Sequence, residues 1–164
     1  MSEHIHNKWL IILTFLLAFA LDVLPLPGWS IWFRPLWTLM VMIYWVMAFP
    51  NLINVGSAFV VGLVLDLLQG TVLGEHAIAM VIVAYFVVQL YRFMRVAPLL
   101  QQTFFAFILI FIYQLLIYIL QGIVGSLPST WLYWLPVLTS IILWPWIFVL
   151  LRDSRRRAGL IVKG

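Results

Sequence analysis

Residues 9–24, 77–91, 104–120 and 131–151 form apolar runs that contain no Lys, Arg or Glu, and Asp22 is the one charge among them. A water-soluble fold cannot bury so much uninterrupted apolar chain, and lipid is its natural solvent. Composition agrees, with 66% hydrophobic and 9% charged residues, where soluble domains are roughly half apolar and about a quarter charged. The expected fold is an all-α integral membrane protein with about six transmembrane helices, forming a single polytopic domain over residues 1–164.

Six segments are expected, over about residues 9–24, 36–49, 52–68, 77–91, 100–121 and 131–151, followed by a basic cytoplasmic tail over 152–164. Prolines and glycines punctuate the joints: Pro25, Pro27 and Gly28, then Pro50, Gly70 and Gly74, Pro98, and finally Gly122, Gly125 and Pro128. The first four segments fall short of the roughly 20 residues that a helix needs to cross a 30 Å hydrocarbon core, which calls for local thinning, broken helices or a tightly packed bundle. Ala18, Phe19 and Ala20 behind Lys8 imitate a signal-peptidase site, but the apolar run continues past them, so an uncleaved first helix is the simpler reading.

Basic residues sit at segment ends instead of forming a face, which argues against a nucleic-acid partner despite the formal charge of +4. With the N-terminus inside, Lys8, Arg92, Arg95, Arg152, Arg155, Arg156, Arg157 and Lys163 lie in the cytoplasm and Arg34 alone lies outside. Eight of the nine basic residues then obey the positive-inside rule, so both termini are expected in the cytoplasm. The run Arg155, Arg156, Arg157 reads as lipid headgroup contact, and most of the nine tryptophans read as interfacial anchors.

Among polar residues, Asp66 stands out because it interrupts Val64-Leu65 and Leu67-Leu68, where an ionised carboxylate is costly and faces a partner or water. Gly62, Asp66, Gly70 and Gly74 recur every four residues, which places them, through Gly70 at least, on one helical stripe suited to close helix contact. Two readings of Asp66 stand side by side: an intramembrane pairing, or a carboxylate near the outer end of its helix that reaches water and caps the following loop. Arg34 is the available counter-ion on the same side, and Asp22 competes for it. Asp22, Arg34, Asp66 and Glu75 would then cluster near the outer face. Gln114 and Gln121 are candidates for hydrogen bonds between helices.

Chemistry finds little foothold. Cysteine is absent, which removes disulfides, thiolate catalysis and Cys-ligated metals. His76 beside Glu75 invites a metal or proton relay, but no second ligand spacing accompanies it, and an interfacial histidine is the simpler reading. The serines and threonines lack a base or oxyanion setting, and no glycine loop is placed to cradle phosphate. No cofactor is expected.

Several stretches together resemble the MreD family of rod shape-determining membrane proteins, closely its enterobacterial-like branch. They are Phe33-Arg34-Pro35 through Tyr44-Trp45 to Pro50, Asn54-Val55-Gly56 through Phe59, Gly62 and Leu65-Asp66-Leu67 to Gly70, Leu73-Gly74, Ala79-Met80, and Leu143-Trp144-Pro145-Trp146-Ile147-Phe148. The resemblance implies a place in the bacterial inner membrane and a part in cell-wall elongation beside MreC, MreB, RodA and its transpeptidase partner. It also implies a fold similar to the membrane-embedded substrate-binding subunits of energy-coupling vitamin transporters. Gln114 stands where some members have an acidic residue, and Glu75-His76 occupies a position that is variable or basic elsewhere.

Three functions remain to be weighed: a scaffold that binds MreC, a small-molecule or lipid-precursor binding or transport subunit, and a membrane enzyme for which no catalytic pair can be named. A polar-lined pocket at Asp66 would favour the second and a filled bundle core the first. Topology gives a direct test. Reporter fusions at either terminus are expected to show cytoplasmic activity, and a periplasmic C-terminus would overturn the six-segment reading.

Overall fold

The computed structural model describes residues 2–159, with side chains from residue 8 onward. Six α-helices make up the fold: α1 (Ser2–Val23), α2 (Trp37–Ala48), α3 (Val55–Gln69), α4 (Glu75–Val96), α5 (Leu99–Val124) and α6 (Leu135–Arg157), with 3-10 turns at Ile31–Phe33 and Trp131–Trp134. Among the described residues, four stretches are long and apolar enough to cross a membrane: Ile31–Ala48, Glu75–Val96, Leu99–Val124 and Trp131–Arg157. Several helices outrun the apolar stretches that announce them. In particular, α6 continues to Arg157, so the first basic residues past the apolar run form its last turns.

Local chemistry sets the helix ends. Pro50 disfavours helical backbone at the residue before it, and Phe49 leaves the helix with φ −135°. Asn54 opens α3 by accepting the Gly56 N–H at 3.1 Å. Pro98 terminates α4 in the same manner, with Ala97 extended at ψ 146°.

At the centre lies α2, where residues 38–48 are all buried. Helices α1, α4 and α6 pack around it and α5 touches it near one end. Twelve residues span only about 18 Å at 1.5 Å per residue, too little for a lipid-facing crossing. Such a helix is tolerable here because its neighbours, and not lipid, surround it. Tyr44 packs edge-on against Trp45 and Phe148, with ring centroids 5.2 and 5.6 Å away, and Trp45 stacks on Phe49 at 6.0 Å. The Trp45 indole N–H donates to Thr14 Oγ1 at 2.9 Å, tying α2 to α1. Trp45 and Trp144 are therefore core residues and not interfacial anchors, whereas Trp9, Trp29 and Trp131 are exposed.

The closest helix pair is α3 against α4. Gly62 makes that approach possible. A Cβ on it would stand 2.7 Å from the Ala77 amide nitrogen and 2.9 Å from the His76 carbonyl carbon, inside any contact real side chains make. Both obstacles are backbone, so no rotamer change relieves them. Replacing Gly62 by Ala is expected to cost at least the ~1–3 kcal/mol typical of overpacking, and Gly62→Leu more. The check is the thermal unfolding midpoint and monodisperse yield of purified protein, and a variant matching the parent in both would show that α3 and α4 do not meet this closely.

Candidate functional site: the carboxylate-capped face

Cross-helix hydrogen bonds sort the helix ends into two faces. One face gathers the C-terminal ends of α1, α3 and α5 with the N-terminal ends of α2, α4 and α6, through the pairs Asp22–Thr38, Asp66–His76, Gln121–Glu75 and Ser140–Leu36. The opposite face gathers Arg95, Gln102 and the last turns of α6 around the end of α2.

Two helices on the first face, α2 and α4, begin after a loop without a capping side chain of their own, whereas α6, also uncapped, runs on directly from a 3-10 turn. The N-cap residue of α2 is Leu36 and that of α4 is Gly74, and neither makes a side-chain cap bond. The first N–H groups of a helix have no partner within it, and in an apolar setting each such group is expensive. Both helices borrow a carboxylate from the helix before. Asp22, on the last turn of α1, accepts the Thr38 N–H at 2.9 Å through Oδ2, and the Thr38 hydroxyl donates to the same oxygen. Ser140 of α6 adds a second acceptor, its Oγ taking the Leu36 N–H at 2.9 Å.

Asp66 does the same for α4 with more donors. Its Oδ2 accepts the N–H of Gly74 at 2.9 Å and of Ala77 at 3.4 Å. Its Oδ1 accepts the His76 N–H at 2.9 Å, the Thr71 hydroxyl at 2.9 Å and the His76 ring Nδ1 at 2.8 Å. An ionised carboxylate only accepts, so Nδ1 carries the proton in that contact. The helix dipole of α4 adds its positive end to the same spot. Asp66 is 0% exposed.

Asp66 thus caps the α3–α4 turn, as one reading of the sequence has it, but it does not reach water as that reading also has it, and Arg34 is not its counter-ion. The Arg34 guanidinium instead donates to the carbonyl of Asp22 at 2.6 Å and to that of Leu24, neutralising the C-terminal end of α1. Charge matching by side of the membrane misplaced it because it overlooks the carbonyls left free at the end of α1, which take the guanidinium. The glycine stripe also divides. Gly62 is a packing residue, but α3 stops at Gln69, and Gly70 and Gly74 are turn residues with φ of +67° and +99° that a side chain would strain.

Glu75 lies on the same face, where its Oε1 accepts from Gln121 Nε2 at 2.9 Å and joins α4 to the end of α5. Gln114 is buried and donates to the Tyr133 carbonyl at 2.9 Å, fastening α5 to the turn before α6. Sequence reasoning missed His76, Thr38 and Ser140 as members of this network. A usable signal existed: α2 and α4 both start at residues with no capping side chain, and each follows an aspartate near the end of the helix before. No group of three or more His, Asp or Glu able to hold a metal occurs among the described residues.

Chemically, the arrangement holds helices in register. Asp66→Ala would strand N–H groups of Gly74, His76 and Ala77 in an apolar turn, at about 2 kcal/mol or more. Asp66→Asn is milder, since its amide oxygen still accepts. The charge swap Asp66→Arg with Arg34→Asp is expected to fail to restore what either single change loses, because each side chain serves a different helix end. Unfolding midpoints of the four proteins decide, and recovery in the double variant would reinstate an Asp66–Arg34 pair.

The model of the rod shape-determining protein MreD matches residues 3–154. The rod shape-determining protein MreD of Haemophilus influenzae is 34% identical over 157 residues, covering 93% of this chain and 95% of that protein. No solved structure matches, so the likeness to energy-coupling transporter subunits rests on the family resemblance alone. With the family model spanning nearly the whole chain and a relative matched from end to end, the protein belongs to the MreD family of rod shape-determining membrane proteins.

Proposed function

We propose that the protein acts without chemistry of its own, as a scaffold subunit of the rod complex in the bacterial inner membrane. In this reading both termini are cytoplasmic, and the bundle binds MreC and supports lateral peptidoglycan synthesis by MreB, RodA and its transpeptidase partner. Family membership supplies the role in cell shape. The observation that carries the scaffold reading is the fate of the polar residues: Asp22, Asp66, Glu75 and Gln114 are all engaged in bonds between helices or within turns.

A transport subunit built around Asp66 would need that carboxylate to face a cavity. Asp66 has no exposed surface, and the cavity of about 340 Å³ that opens on its face is lined by Asp22, Val23, Arg34, Leu68, Gln69 and Thr71 and not by Asp66. A bundle whose helix ends are tied to one another suits a part that positions others.

The test is complementation joined to isolation. In a rod-shaped bacterium lacking its own MreD, the chain is expected to restore rods and to bring MreC with it on affinity purification from the native membrane. Gly62→Leu and Asp66→Ala should reduce both in proportion to the folded protein that remains. Restored rods with no MreC in the isolate would reject the MreC scaffold.

A further inference from the structure

On the face opposite the carboxylate caps, a cavity of about 300 Å³ opens between the end of α2, the α4–α5 junction and the last turns of α6. We propose that this cavity is a binding site for a phosphate-bearing anion, a feature that goes beyond the scaffold reading. Its polar lining consists of Tyr44, Arg95, Gln102, Arg152, Arg155 and Arg156. On α6 the spacing is the cause: Arg152, Arg155 and Arg156 stand three and four residues apart and so share one helix face, one turn beyond Phe148.

Two buried side chains aim unsatisfied polar atoms at it. Tyr44 is 1% exposed and Gln102 2%, yet the Tyr44 hydroxyl and the Gln102 Oε1 have no hydrogen-bond partner. Buried polar atoms of this kind are nearly always bonded, so a missing partner is indicated. The Nε atoms of Arg95 and Arg155 are likewise buried and unpartnered. A phosphate oxygen answers the tyrosine hydroxyl and the guanidinium N–H groups, all of which donate. Gln102 Oε1 accepts, and suits a hydroxyl on the same ligand.

Opposing charges are fewer. Arg95 spends one nitrogen on the carbonyls of Met47 and Ala48, at 3.1 and 3.2 Å, which cancels the negative end of α2. Asp153 lies 3.5 Å from Arg152 Nε and offsets part of that charge. Arg155 and Arg156 have no acidic partner among the described residues. In addition, α5 starts at this cavity with Leu99 behind Pro98, and no side chain caps its free N–H groups. Guanidinium forks are the usual means of holding phosphate oxygens in pairs.

The source of the phosphate is either a lipid headgroup or a soluble anion, and two arms separate them. Full-length protein in phosphatidylcholine nanodiscs is given increasing phosphatidylglycerol, with retained lipid counted by native mass spectrometry. In parallel, protein in neutral detergent is titrated with inorganic pyrophosphate by thermophoresis. Saturable binding in either arm is expected, weakened about tenfold by Arg155→Gln and about threefold by Tyr44→Phe. Arg157→Gln removes the same charge outside the cavity and should change affinity least. If Arg155→Gln does not fold, Tyr44→Phe decides alone: the threefold loss supports the site and an unchanged affinity refutes it. No saturable binding in either arm, or an equal loss from Arg157→Gln, overturns the proposal.

Discussion

The fold depends on how unpaired backbone groups at helix ends are satisfied where water is scarce. In a soluble protein a weak cap costs little, because solvent steps in. Where water is scarce the same N–H groups are costly to leave bare, and at α2 and α4 side chains from other helices take them. Here two aspartates each project from the end of one helix onto the start of the next, and at the other pole Arg95 covers the carbonyl end of α2. These charged groups are costly in lipid taken alone, and they are retained because the backbone partners they meet are costlier when left bare.

Protecting both poles of α2 makes its burial possible. A short central helix sheathed by others presents no surface to lipid, so its length need not match the bilayer. Between the capped poles its packing is aromatic and polar at once, with Trp45 held by Thr14 and Tyr44 wedged between Trp45 and Phe148. Association of helices in lipid gains little from hydrophobicity itself, so close fit and interhelical hydrogen bonds must supply it. The Gly62–Ala77 approach and the Gln114–Tyr133 bond are instances of each.

The sequence discloses these features unevenly. Uninterrupted apolar runs announce helices because lipid tolerates little else, and a glycine deep in such a run, as at Gly62, signals close packing. Asp66 was legible as special, but not its partner, since matching charges across one membrane face ignores the backbone donors that lie only eight to eleven residues onward. Tryptophan shows the same limit. A ring near a segment end is an anchor by default, yet Trp45 and Trp144 are fully enclosed, and only the position of α2 at the centre makes that possible. His76 reads as an interfacial histidine because its ring partner belongs to another helix.

Because each capping aspartate precedes the helix it serves, the direction of synthesis matters. Asp22 leaves the ribosome sixteen residues ahead of Thr38, and Asp66 ten ahead of His76. When the start of α2 or α4 reaches the translocon, its acceptor is already waiting on the segment just inserted. The chain is thereby organised into consecutive hairpins, α1 with α2 and α3 with α4, each with its joining turn capped by its own aspartate, while the remaining polar groups of α2 wait for Arg95 and Ser140 on later segments.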